Sequence, residues 1–102
     1  MQATEKHEFT WTSGHLSIKI GITFNPRWQL CDFLLDGVFD HLEIISLDPA
    51  QAKLPVGTNG YSSNLVRAGA IAANGGPVAA TRKWLDEVAL GAEWQDYLNT
   101  TR

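Results

Sequence analysis

His41 and Glu43 are the two residues of this sequence whose types and spacing best suit chemistry. They are two positions apart in a segment, Val38 to Leu47, whose β-branched and apolar content indicates a strand. Because successive side chains of a strand point to opposite faces, these two residues share a face. An imidazole and a carboxylate placed in this way could share a proton or hold a polar ligand. The alternative is an ordinary polar pair at the rim of the fold.

The other histidines and the single cysteine do not form a catalytic or metal-binding set. Cys31 could meet His41 only across a hairpin turn at Asp36-Gly37. A centred two-residue turn puts them one position out of register, so the thiol and the imidazole would face opposite ways. His7 and His15 are separated along the first predicted hairpin and do not converge. We therefore predict no metal site and no cofactor, and a buried structural role for Cys31.

Acidic residues recur through the middle of the chain, where positions 28–52 contain no Lys or Arg. If positions 28–39 were helical, Asp32, Asp36 and Asp40 would form one acidic stripe. Such a stripe could imitate a nucleic-acid backbone and occupy a basic groove on a partner protein. We favour a hairpin instead, because an Asp-Gly pair between apolar runs is typical of a type I′ turn. In a hairpin the same acids would scatter over a strand edge, where they discourage aggregation.

A second candidate binding element is the segment Gly60-Tyr61-Ser62-Ser63-Asn64, which combines a glycine, an aromatic ring and small polar groups. We predict a surface loop here, leading into a short extended piece from Tyr61 to Val66. Such loops often line binding sites, and Tyr61 and Ser62 are therefore candidate interaction residues. A turn with Tyr61 packed into the core is the alternative. The Gly-x-Ser-x-Gly elbow of serine hydrolases is absent.

Strands come first in the chain. Strict alternation predicts strands at His7 to Thr12 and Leu16 to Phe24, with a turn at Ser13-Gly14 between them. Asn25-Pro26 should end the second strand, because proline cannot donate to a central ladder. Asp48-Pro49 should close the strand that contains the His/Glu pair.

Helices come last. Positions 68–73 suit a brief helical turn, and Pro77 suits the first position of a helix that Gly91 would cap at its C-terminus. The predicted buried face of that helix consists of Val78, Thr81, Leu85 and Val88. A final helix from Ala92 to Asn99 would direct Trp94, Tyr97 and Leu98 to the core. Strands followed by helices predict one α+β domain over residues 1–102, an antiparallel three- or four-stranded sheet with the C-terminal helices packed on one face.

Composition excludes several other classes of protein. The chain has 102 residues, of which 44% are hydrophobic and 19% charged, and a net charge of -3. These values disfavour disorder, and an acidic chain lacks the electrostatic attraction on which nucleic-acid binding depends. No apolar run is long enough for a membrane span. With one cysteine and no signal peptide, we expect a cytoplasmic protein without membrane or direct nucleic-acid contacts.

The chain contains the short motifs Phe9-Thr10-Trp11, Asn25-Pro26-Arg27-Trp28, His41-Leu42-Glu43-Ile44, Leu54-Pro55, Gly60-Tyr61-Ser62-Ser63, Gly75-Gly76-Pro77-Val78 and Trp84-Leu85-Asp86. In this order, they resemble those of a family of small proteobacterial proteins often found on plasmids and other mobile elements. The family usually carries Arg and His where Ser62 and Asn64 stand here. The resemblance implies a bacterial, cytosolic accessory protein and specifies no activity.

The missing catalytic set predicts a non-enzymatic interaction or accessory protein that binds a protein partner or a second copy of itself, and the resemblance implies that this protein is borne on a mobile element. It would bind through its acidic middle and the Tyr61 segment, and nucleic-acid mimicry is the more specific form of this hypothesis. The alternative is a small-molecule-binding domain or minor enzyme. Its cleft would lie between sheet and helices, with His41 and Glu43 at the mouth.

Overall fold

The computed structural model of the chain describes residues 4–28 and 39–102. Four antiparallel strands form one sheet in the order β1 (Glu5–Ser13), β2 (Leu16–Trp28), β3 (Phe39–Asp48) and β4 (Tyr61–Arg67). Three helices follow, α1 (Ala70–Ala73), α2 (Pro77–Ala89) and α3 (Ala92–Thr100). The predicted α+β fold is confirmed, with the sheet at the upper predicted number of strands.

One face of the sheet forms the core, and we name it the covered face. Alternate residues of β2 supply its centre, and the buried apolar residues of all three helices belong to the same cluster. Two tryptophans connect the layers: the Trp11 indole N–H donates to Asp86 of α2 at 2.8 Å, and that of Trp94 donates to Ser13 at 2.9 Å. The helices therefore pack on this face, as predicted. We name the opposite face the outer face.

The strand that contains the clearest alternation is longer than predicted. β2 begins at Leu16 as expected but runs through Asn25-Pro26 to Trp28, so the predicted end at that pair is wrong. The register between β2 and β3 shifts between Asn25 and Trp28, and this irregularity accommodates a residue that cannot donate to the ladder. The first turn is also displaced by one residue, because Ser13 pairs with Leu16 and leaves Gly14, with a φ of 57°, in the turn.

β3 ends at Asp48, as predicted, and a loop leads to β4. Leu54 and Val56 anchor this loop in the core. Gly57 and Gly60 have φ values of 72° and 74° that only glycine adopts readily. β4 begins directly at Tyr61, so the predicted extended piece from Tyr61 to Val66 is confirmed, and the prediction that the loop includes Tyr61 is wrong.

The helices begin as the sequence indicates, but one capping assignment differs. α2 starts at Pro77, and α1 lies within the predicted helical turn. Gly91 has a φ of -69° and serves as the N-cap of α3, so its predicted role as a C-cap is wrong. Val88 is exposed, and Ala89 takes the last buried position of α2 instead. The predicted hairpin at Asp36-Gly37 lies outside the described residues.

Candidate functional site

The register between β3 and β4 gathers four polar side chains on the outer face. Glu43 lies opposite Ser63, and Ile45 lies opposite Tyr61. Since alternate residues share a face, His41 and Glu43 of β3 meet Tyr61 and Ser63 of β4. The prediction that His41 and Glu43 share a face is confirmed. We call these four residues the outer-face polar cluster.

Short contacts link the members of the cluster. The Tyr61 hydroxyl donates to Glu43 Oε2 at 2.5 Å. The other carboxylate oxygen, Oε1, lies 3.9 Å from His41 Nδ1. The second ring nitrogen of the histidine, Nε2, lies 2.8 Å from the Ser63 hydroxyl oxygen. The imidazole of His41 thus lies between the Glu43 carboxylate and the Ser63 hydroxyl. Only 13% of the His41 side chain is exposed.

The cluster also changes the acidity of its tyrosine. The hydrogen bond that Tyr61 donates to Glu43 raises the pKa of the phenol above 10.0, and partial desolvation and the negative charge of Glu43 act in the same direction. A hydrogen bond from Ser63 lowers the same pKa, but by less. Tyr61 therefore remains a neutral hydrogen-bond donor throughout the physiological pH range.

Large apolar side chains surround the cluster. Leu65 is 44% exposed, Ile45 43%, Tyr61 42% and Leu47 38%, all on β3 and β4. On a sheet face that is exposed to solvent, the side chains are normally polar. Contiguous exposed apolar surface around polar groups is instead typical of an interaction site.

A shallow groove of about 320 Å³ extends the apolar surface across β2. Its floor is Gly21, and Ile45 and Leu47 form one wall. A Cβ at Gly21 would lie 3.0 Å from the end of the Leu47 side chain. On the other side, the groove is lined by Lys6 and Glu8 of β1. The outer face therefore carries apolar side chains on β3 and β4 and charged side chains on its β1 side.

Two other predicted site residues, Ser62 and Asp40, do not join this surface. Ser62 is 6% exposed, faces the covered side and donates to the Asn64 side-chain oxygen at 3.2 Å. Asp40 is 4% exposed and accepts the Gly69 backbone N–H at 3.2 Å. Because the Asp40 carboxylate is buried and hydrogen-bonded to Gly69, the N-cap of α1, Asp40 does not belong to an exposed acidic stripe. Asp32 and Asp36 lie outside the described residues.

The covered face carries a separate groove of about 440 Å³ between β3, β4, α1 and α2. Apolar Leu42 and Val66 lie in the sheet beneath it, and Trp84 and Lys83 line it from α2. His41 and Glu43 point to the opposite face of the sheet. Their predicted placement at the mouth of a cleft between sheet and helices is therefore wrong.

The remaining histidines are dispersed. His7 contacts Glu5 at 3.0 Å on β1, and His15 contacts Thr101 after α3 at 3.1 Å. Within residues 4–28 and 39–102, no three His, Cys, Asp or Glu side chains are grouped to hold a metal ion. Cys31 lies outside these ranges. None of the helices in the described part of the chain is long and apolar enough to cross a membrane.

Sequence reasoning missed Ser63 and Leu65 as outer-face residues. The alternation of the Tyr61 to Val66 segment already placed both on the face of Tyr61. What the sequence lacked was the pairing that sets Ser63 beside Glu43. Once that pairing is known, alternation alone identifies all four members of the cluster.

Comparison with known proteins identifies the family. A family model described as the KlcB third domain matches residues 4–94. The chain belongs to this KlcB third-domain family. The match includes all four strands, α1, α2 and the start of α3, so the outer-face polar cluster lies inside the KlcB third-domain unit. Neither the curated proteins nor the solved structures gave a match.

Proposed function

We propose that the chain is an interaction module whose outer face binds another folded protein. The observation that carries this proposal is the apolar surface of Ile45, Leu47, Tyr61 and Leu65 around the polar cluster. The helices pack on the covered face, and no helix among the described residues packs on the outer one. Burying these side chains against a partner would release water from a surface that the isolated domain leaves exposed.

The partner is a different protein rather than a second copy of this chain. If two outer faces met about a two-fold axis parallel to β3, the Glu43 carboxylates of the two copies would face each other. Like charges in a partly desolvated contact are costly. A partner that offers a Lys or Arg to Glu43 and an apolar surface to Ile45 avoids this cost.

We further propose a cytoplasmic accessory role, with the mobile-element setting that the resemblance implies. Mimicry of nucleic acid by the acidic middle of the chain would now depend on Asp32 and Asp36, because Asp40 is buried. The outer face is therefore the stronger candidate for the binding surface.

The test compares two charge insertions at exposed apolar positions. Ile45→Lys alters the outer face, whereas Leu90→Lys alters a residue that is 81% exposed at the end of α2. We expect a partner captured from bacterial lysate and then purified to bind Ile45→Lys at least about tenfold more weakly, which is about 1.4 kcal/mol. The Leu90→Lys variant should bind like the unmodified chain. Circular dichroism would verify that both variants fold.

Two results would contradict the proposal. The first is equal binding of the purified partner by Ile45→Lys and by the unmodified chain. The second is a stable dimer of the unmodified chain, measured by light scattering, that Ile45→Lys converts to a monomer. That result would show that a second copy occupies the outer face.

The groove on the covered face supports a second candidate function, binding of a small molecule. Its volume of about 440 Å³ lies within the usual range for ligand sites, and it combines the Trp84 ring with the polar side chains of Asn64 and Lys83. A fragment screen by ligand-observed NMR would test it. We expect aromatic fragments to bind the unmodified chain and to lose binding when Ala80→Trp fills the groove. Binding that is unchanged in this variant would exclude the groove.

A further inference from the structure

We propose that Ser63 is a nucleophile activated by His41, and that the outer-face polar cluster accepts acyl groups from small carboxylic esters. Glu43 is the positioning residue, and the Tyr61 hydroxyl holds its carboxylate in place. This activity does not depend on the proposed partner binding, because it requires only contacts within the cluster.

The contacts follow the order that nucleophilic catalysis by serine requires. The Ser63 hydroxyl lies 2.8 Å from His41 Nε2, within the range for proton transfer. Glu43 lies 3.9 Å from the other ring nitrogen. A carboxylate on that side favours the tautomer with its proton on Nδ1, which leaves the Nε2 lone pair to accept the serine proton. A nucleophile and a base are therefore in hydrogen-bond contact, and the Glu43 carboxylate, which lies beyond hydrogen-bond distance, acts on the imidazole through its charge.

The nucleophile of the cluster is exposed to solvent, whereas its base is shielded. Ser63 is exposed on β4, so a small ester can reach its oxygen. The His41 ring is largely shielded between the strands. Tyr61 fixes Glu43 through the 2.5 Å hydrogen bond and thereby holds the carboxylate near the imidazole. The base is thus held in place while the nucleophile faces solvent.

The reaction balances with the ester and water as reactants. Ser63 Oγ forms a bond to the ester carbonyl carbon while its proton passes to His41 Nε2. The tetrahedral intermediate then collapses, its bond to the alkoxide breaks, and His41 returns the proton to the departing alcohol. The product is an acyl ester on Ser63. Water, deprotonated by His41 in the same way, hydrolyses this ester and restores the serine.

The rate should be modest. General-base catalysis contributes about 10² to 10⁴-fold. The single Tyr61 hydroxyl proton is already donated to Glu43, so Tyr61 does not supply a donor to the oxyanion. A missing oxyanion-hole donor costs about 10² to 10³-fold. We therefore expect slow acylation of one serine and slower release of the acyl group, seen as a single burst.

The test uses p-nitrophenyl acetate and a fluorophosphonate probe with the full chain. Intact mass and peptide mapping should find one adduct, on Ser63, in the unmodified protein. Ser63→Ala and His41→Gln should lower the labelling rate at least about tenfold. The matched control is Ser17→Ala, because Ser17 is an exposed outer-face serine of β2 outside the cluster, and this variant should label normally. Glu43→Gln should slow the burst, and Glu43→Asp should restore most of it.

Three results would overturn the proposal. Labelling of the unmodified chain at Ser17 as fast as at Ser63 would show that Ser63 is not activated, and this comparison does not depend on the folding of any variant. An adduct on lysine or on Tyr61 instead of Ser63 would exclude the serine as nucleophile. Equal labelling of His41→Gln and the unmodified protein would exclude general-base activation.

Discussion

Replacing Ile44 or Ile45 with alanine compares the two faces of the sheet at adjacent positions. Ile44 is fully buried in the core, whereas Ile45 is 43% exposed on the outer face. Ile→Ala in a core costs about 2 to 5 kcal/mol, because the lost transfer free energy adds to that of the cavity. Full burial of an isoleucine contributes about 1.5 to 3 kcal/mol. Since roughly half of Ile45 is already in water and no closed cavity forms, we expect Ile45→Ala to cost about 1 kcal/mol.

Urea denaturation followed by circular dichroism measures both free energies of unfolding. Tryptophan emission supplies a second probe, because Trp11 and Trp94 are buried against the helices. Coincident transitions would establish that unfolding is two-state. We expect Ile44→Ala to lower the free energy of unfolding by at least about 2 kcal/mol more than Ile45→Ala does. Equal losses would refute the division into a covered and an outer face.

Three further predictions concern backbone strain, acidity and a buried acid. Gly57→Ala should destabilise the fold by more than about 2 kcal/mol, because the new Cβ would collide with the Tyr61 carbonyl. Gly69 also has a positive φ, but open space surrounds it, so Gly69→Ala should cost only about 1 kcal/mol. Urea denaturation measures both losses. Because the pKa of Tyr61 is raised, the hydrogen bond of its neutral phenol stabilises the fold below pH 10.0, and this stabilisation is lost as pH rises through the folded pKa. Ultraviolet titration should show a lower Tyr61 pKa in Glu43→Gln. An unchanged pKa would contradict the assigned cause. Asp40→Ala should destabilise the domain by about 1 to 3 kcal/mol without weakening partner binding, whereas lost binding in a stably folded variant would return this acid to the binding surface.

Much of the fold is predictable because its strongest signals are local. The period-two pattern of β2 and the proline at the start of α2 each report the conformation of their own segment. The same logic correctly placed His41 and Glu43 on one face. In each case the information lies within a few residues of the element that it specifies.

Other features depend on contacts between distant segments, and the sequence does not display them. The neighbours of Glu43 follow from its pairing with a strand about twenty residues away, which no local pattern encodes. Asp40 has the composition of a surface residue, yet its carboxylate is buried by a contact with Gly69. Pro26 has the local signature of a strand end, but an irregular register keeps it within β2. Tertiary contacts outweigh local preference at each of these positions.

The most direct test of the outer face as the binding surface is solvent accessibility of methyl groups, measured by NMR with a soluble paramagnetic agent. In the free protein, the methyl signals of Ile45, Leu65 and Leu90 should all broaden strongly, and that of Ile44 should not. When the purified partner is added, we predict that Ile45 and Leu65 become protected while Leu90 stays accessible. Protection of Leu90, with Ile45 and Leu65 still accessible, would contradict the account.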